Sequence, residues 1–294
     1  MSIKKYLFLH FILFLVLSLD AQLPSTEIYH FKIERSTEGI KLTEPQYMTG
    51  FNENGYNNQP LFFGDSVVYF TTDYYDSDQT EIAKFDLNNL TLTRITTTQE
   101  SEYSPTPTPF DNSFSCVRVE LNNIQTITSY PLDGMGVPTR YLDNVINVGY
   151  HTWLNDEELA LFLVEDPHHN LAICEVGSER RKIILDKIGR CLKRAPDGNL
   201  LFVHKLQESS WYIKSYDLES SQSTIICQTP EGSEDFVLLP DGSILMGQGS
   251  KILRYNTNAP NGWEEVQDLK SYNISSISRI AVQQNALVLV NQKT

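Results

Sequence analysis

Eight side chains could do chemistry together: Asn57, Glu102, Tyr103, His151, Arg190, Glu234, Asp235 and Arg279. Each sits at or beside the start of a strand-like apolar run, so a fold that gathers those starts would gather these groups. Glu102, Asn57, Glu234 and Asp235 supply the oxygen ligands that a divalent ion needs, and such an ion with an open position for water could hydrolyse an ester or a lactone. Arg190 and Arg279 oppose that chemistry, because a guanidinium neutralises neighbouring carboxylates and repels a cation. The same set suits a ligand held without reaction. Alternatively, Glu102, Arg190, Glu234 and Arg279 could simply neutralise one another across a channel and hold its walls in register.

Other groupings point to structure. Asp73, Asp76 and Asp78 lack the sharp-turn glycine and the distal glutamate of a calcium loop, and they read as a solvated hairpin tip. His168 and His169 are adjacent in a proline-containing loop, whereas paired helical ligands stand one turn apart. The four cysteines, Cys116, Cys174, Cys191 and Cys227, lie in separate strand-like runs with no zinc spacing, and free buried thiols are expected. Arg118 and Glu120 share a strand face and suggest a buried pair between sheets. Trp153, Trp211 and Trp263 read as packing residues with a partner for the indole N–H. No catalytic residue, metal or cofactor is assigned. No G-x-S-x-G occurs, so that serine chemistry is absent.

The elements that must position these groups are strands. From Glu102 to Glu120 the chain reads as strand, turn, strand, and Pro105, Pro107 and Pro109 recur at period two. In extended chain their missing N–H groups fall on one edge, which therefore stays unpaired. From Pro109 to Leu154, Pro196, Pro240 and Val282, each closing such an inner strand, the steps are 45, 42, 44 and 42 residues. Four strands per unit at this period is propeller spacing, with the unpaired edge facing a central channel. Five repeats are complete, at about 57–98, 102–144, 148–188, 189–230 and 233–271. The hairpin Glu27–Thr43 and the strands at 278–282 and 286–291 supply two strands each to a sixth, closing the ring. Successive turns of antiparallel strands alternate between faces, so the Pro-Asp-Gly turns at 196–198 and 240–242 mark one face. The eight polar positions, with the loops at 73–78, 167–169 and 207–208, mark the other.

Residues 1–21 read as a secretory signal peptide: Lys4 and Lys5, an apolar run from Tyr6 to Leu19, then Ala21 before Gln22. The run is shorter than a membrane span and no cysteine adjoins the cut, which argues against a span and against a lipid anchor. The mature chain of about 273 residues suits one all-β domain, 22–294. The formal charge is −14, or −15 without the leader, a balance that repels nucleic acid and anionic membranes.

The Ser104-Pro105 lead-in, the Pro-Asp-Gly turns and the strand closures Tyr216-Asp217-Leu218 and Phe85-Asp86-Leu87 resemble the WD40-like (PD40) repeat of TolB-type propellers. The strings at 102–105, 149–153 and 232–236 resemble exported TolB-like proteins made of the propeller alone. That resemblance implies a six-bladed β-propeller, periplasmic or secreted, that binds a protein or a small envelope ligand at the channel-mouth face without catalysis. A metal-dependent hydrolase or lactonase of the six-bladed type is the alternative. Two departures limit the likeness: fewer than 40 mature residues precede the first repeat, where TolB has a further α/β domain, and no hydrolase domain follows, as it does in prolyl-oligopeptidase-like enzymes.

Overall fold

The computed structural model describes residues 23–37 and 39–293. The expected signal peptide lies outside the described residues. No helix among them is long and apolar enough to cross a membrane.

Alternating Val, Ile, Tyr, Phe and Thr runs punctuated by Gly, Pro and Asp give strands throughout. In chain order a hairpin of β1 (Thr26–Ser36) and β2 (Gly39–Tyr47) comes first. Blade one follows as β3 (Asn57–Phe62), β4 (Val67–Thr72), β5 (Glu81–Asp86) and β6 (Thr91–Arg94). Blade two is β7 (Ser101–Pro107), β8 (Ser113–Val119), β9 (Gln125–Pro131) and β10 (Thr139–Arg140). Blade three is β11 (Val148–Trp153), β12 (Glu158–Leu163), β13 (Asn170–Glu175) and β14 (Arg181–Asp186). Blade four is β15 (Ile188–Arg194), β16 (Leu200–Gln207), β17 (Ser210–Asp217) and β18 (Gln222–Gln228). Blade five is β19 (Phe236–Leu238), β20 (Ile244–Gln248), β21 (Lys251–Tyr255) and β22 (Trp263–Asp268), and β23 (Ile277–Gln283) and β24 (Ala286–Gln292) complete the set.

The strands form six four-stranded antiparallel sheets, and the sixth has the order β2-β1-β24-β23. Ring closure is therefore made by β1 against β24, from Thr26 opposite Gln292 to Lys32 opposite Ala286. The six-bladed all-β fold read from the repeat spacing is the fold observed.

Burial explains why the middle strands are apolar on both faces. Six separate hydrophobic clusters occur, one at each junction between neighbouring blades. In β12, Leu159, Leu161 and Leu163 pack toward blade two, while Ala160 and Phe162 pack toward blade four. In β24, Leu287 and Leu289 join the blade-five junction, and Val288 and Val290 join the blade-one junction. A period of two thus serves two cores at once. Each large side chain so buried contributes about 1.5–3 kcal/mol.

The strand β7 pairs only with β8, as its prolines require. It ends at Pro107, so Pro109 belongs to the following turn rather than to the strand. At the Pro-Asp-Gly turns, Asp197 accepts from the Asn199 N–H at 3.0 Å and Asp241 from the Ser243 N–H at 2.9 Å. Gly198 and Gly242 take φ of +89° and +82°, a region that favours glycine. All four cysteines are buried and free. The Arg118 expectation needs correction: it contacts Glu120 at 3.4 Å and Glu100 at 2.7 Å, all beside β7 and β8 of one blade and partly exposed. Those acids flank the blade's own first hairpin, so the cluster braces one sheet and does not join two.

Candidate functional site

The innermost strands converge on a central cavity of about 350 Å³, with every one of the six blades contributing to its wall. Several of these strands are irregular: the pairing register shifts in β3, β7, β11, β15 and β23. Bulges of this kind re-aim side chains. In blades one and two the residue before the inner proline has positive φ, Gln59 at 56° and Ser104 at 56°. The Gln59 Oε1 then accepts from the Ser104 N–H at 2.9 Å and from Thr71 Oγ1 at 2.8 Å, tying the two blades together beside the channel.

Arg279, on β23, is the centre of the polar cluster. Its Nη2 donates to the Tyr150 hydroxyl at 2.8 Å, its guanidinium lies 4.9 Å from the Tyr150 ring centroid, and its Nη1 is 3.4 Å from Asp235 Oδ2. Asp235 also accepts from the Ile280 N–H at 3.1 Å. Burial opposes ionisation of Tyr150, but the guanidinium groups of Arg279 and Arg190 outweigh it and hold the phenol below its ordinary value. Arg190, on β15, meets Glu234 at 2.8 Å and donates to the Ser278 carbonyl at 3.2 Å. Lys205, which stacks over the Trp211 ring at 4.2 Å, holds the second Glu234 oxygen at 2.5 Å. Burial would raise the Glu234 carboxyl, yet Arg190 and Lys205 together depress it, so it stays ionised.

Four of the eight sequence candidates therefore meet: Arg190, Glu234, Asp235 and Arg279. His151 lines the same cavity but is nearly enclosed, with Nε2 2.7 Å from Ser115 Oγ. Burial pushes its imidazole down to about 3, so it is neutral across the physiological range. The Ser115–His151 pair resembles a nucleophile and its base, but Ser115 is fully buried and also accepts from the Trp153 indole at 3.0 Å. No substrate reaches it.

The other three candidates lie elsewhere. Asn57 is fully buried; its amide donates to the carbonyls of Thr26 and Asn52, both at 3.0 Å, and accepts from Thr72 at 2.9 Å. It fastens β3 to the start of β1. Glu102 is also fully buried, between blades one and two, where it accepts from Thr98 at 2.5 Å and Tyr130 at 2.8 Å. Burial first, then the neighbouring Glu81 carboxylate, lift it to about 7 against the hydrogen bonds and Arg118. It takes no part in neutralising Arg190 or Arg279. Tyr103 stands edge-on to Tyr56 at 6.4 Å and lines a separate groove of about 1280 Å³ with the 73–79 loop. In that loop Asp73 accepts from the Tyr56 N–H at 2.9 Å and Asp76 from the Asp78 N–H at 3.0 Å, as a hairpin tip would.

The oxygen ligands expected of a hydrolase, Asn57, Glu102, Glu234 and Asp235, thus do not converge. Among the described residues no group of three or more His, Cys, Asp or Glu side chains is arranged to hold a metal ion. Tyr150, Gln59, Ser104 and Lys205 were missed as site residues. Tyr150 stood next to a chosen histidine, and Gln59 precedes Pro60 as Ser104 precedes Pro105, a parallel that could have found both.

No family model matches the chain, and no curated protein matches it in sequence. Solved structures share its fold. A candidate TolB from Agrobacterium tumefaciens is 11% identical with a TM-score of 0.69, covering 92% of this chain and 99% of its own. TolB from Acinetobacter baumannii is 13% identical with a TM-score of 0.57, over 92% of this chain and 64% of its own. An oligogalacturonate lyase in complex with manganese is 14% identical with a TM-score of 0.55, over 87% and 84%. The chain therefore has the TolB-like propeller fold, one that also occurs in an enzyme.

Proposed function

We propose that this chain is a non-enzymatic binding module, periplasmic or secreted, that takes a small ligand into the channel of its propeller. One observation carries the reading: Tyr150, Arg190 and Arg279 on inner strands, with Asp235 just before β19, face a common cavity, while Asn57 and Glu102, two of the four would-be metal ligands, are buried away from it. Strand-borne polar groups around a part-apolar cavity are the ordinary construction of a ligand site. The likeness to TolB structures is consistent with this role, and the likeness to a manganese-bound lyase supplies the rival.

A second feature favours a protein partner in the separate groove. Tyr74, Tyr103, Asp73, Asp76 and Asp78 line it, an acidic and aromatic surface suited to a basic segment.

The test is a melting-temperature screen of the mature protein against small metabolites, paired with its metal content and a chelator control. A saturable shift from at least one ligand, with melting indifferent to chelator, is the expected result. A stoichiometric divalent ion whose removal lowers melting would transfer the argument to the hydrolase reading.

A further inference from the structure

The channel reverses the charge of the protein that contains it. The whole chain is strongly acidic, at −14, yet the cavity wall carries Arg190, Lys193, Arg194 and Arg279 against the single carboxylate of Asp235. Glu234 does not restore the balance, because Arg190 and Lys205 share it. Arg279 is only 11% exposed, and its Nε is buried with no hydrogen-bond partner among the described residues. Two other wall residues, Ser104 and His151, likewise have a buried polar atom without a partner among the described residues. A guanidinium carries five N–H donors, and among the described residues Arg279 donates only to Tyr150 and Asp235. The unused N–H groups of Arg279, buried at the cavity wall, call for an acceptor.

We infer that the channel binds a small organic carboxylate, with its anionic end on Arg279 and Arg190 and its body against Leu192 and Ile280. This rests on the reading of the channel as a ligand site and names the ligand class. The wall argues for a carboxylate over inorganic phosphate. Pro60, Pro105 and Pro107 line the cavity, and proline has no N–H, so the backbone offers little of the amide nest that cradles phosphates. Side-chain guanidinium forks, which suit a carboxylate bidentately, do the work instead. The cavity of about 350 Å³, with apolar Leu61, Leu192 and Ile280 in its wall, accommodates an apolar body of about one ring.

The test is calorimetric titration of the mature protein with benzoate, its neutral isostere benzamide, and inorganic phosphate at matched ionic strength. Benzoate should bind saturably, one per chain, and benzamide at least tenfold more weakly. R279M should weaken benzoate at least tenfold, R279K should recover part of that loss, and R180Q, an exposed site away from the channel, should change nothing. Should R279M fail to fold cooperatively, R279K against the parent carries the comparison, since it keeps the charge and loses the fork. Equal binding of benzamide, tighter binding of phosphate, or unchanged affinity in both Arg279 variants would each overturn the carboxylate inference. Benzamide binding in the channel without preference would leave the binding-module reading intact. Silence from all three probes overturns the carboxylate inference, and silence from the metabolite screen as well removes the binding-module reading.

Discussion

Replacing Glu102 with glutamine should stabilise the protein above neutral pH and leave it nearly unchanged at pH 4.5. The carboxyl lies fully buried at the junction of blades one and two, with Thr98 and Tyr130 donating to one oxygen and, among the described residues, no partner for the other. Burial, with Glu81 adding to it, raises the group from an ordinary 4.5 to about 7. Between those values the folded chain keeps a proton that the unfolded chain has lost. Stability from this group is therefore complete below pH 4.5 and falls as pH rises toward 7. At about 1.4 kcal/mol per pH unit, the full loss is about 3 kcal/mol. Glutamine mimics the protonated acid and cannot ionise, so the variant escapes the loss. The assay is urea unfolding of parent and E102Q in steps from pH 4.5 to 8.5, read as the difference between them. That difference isolates the group, because His151 contributes with the opposite sign. Its imidazole is held from 6.5 down to about 3, so its stability is present above 6.5 and lost as pH falls. A difference that is flat with pH, or that grows toward acid, would refute the reasoning, since it would mean that Glu102 is a stabilised carboxylate in the folded protein.

Other outcomes follow from the same contacts. The His151 ring signals should not titrate between pH 5 and 9 in NMR, whereas a titration in that range would show that the ring is not enclosed. Arg94→Met leaves Glu81, fully buried and held at 2.7 Å, without its cation, and should cost about 3–5 kcal/mol in denaturant unfolding. Gly247→Ala drives a Cβ into the Ile277 side chain where blade five meets β23, and should destabilise by about 1–3 kcal/mol. Leu289→Ala, in the closing strand, should cost about 2–5 kcal/mol, and a loss within about 0.5 kcal/mol of zero would contradict the packing assigned to it.

The fold was legible because its signals are local and repeat. Prolines at period two name an inner edge, Pro-Asp-Gly names a turn, and strands apolar on both faces name a blade with neighbours on either side. The site was only half legible. Counting to the start of each inner strand finds the right end of the blade, but side chains there alternate, and bulges alter the alternation. Asn57 and Glu102 occupy corresponding positions and both turn into the protein, while Arg190 and Arg279 reach the channel. Nothing in composition distinguishes those directions. The shared step before a proline marks Gln59 and Ser104 in the sequence, but their positive φ, which turns them to the channel, is not announced by residue type.

The clasp of β1 on β24 also imposes an order in time. Five of the sheets are built from strands consecutive in the chain, so each can assemble as soon as its own hairpins exist. The sixth cannot, because Thr26–Lys32 must wait for Ala286–Gln292. As the chain emerges from synthesis, β1 stands as an open edge while the intervening blades form, exposed to strands of other molecules for that whole interval. The entropy of joining such distant segments grows only slowly with the length between them, so the delay is set by waiting and not by cost. A chain cut short before β24 keeps five sheets that pair locally, with a hairpin that has nowhere to dock, and such fragments should be the species that proteases find first.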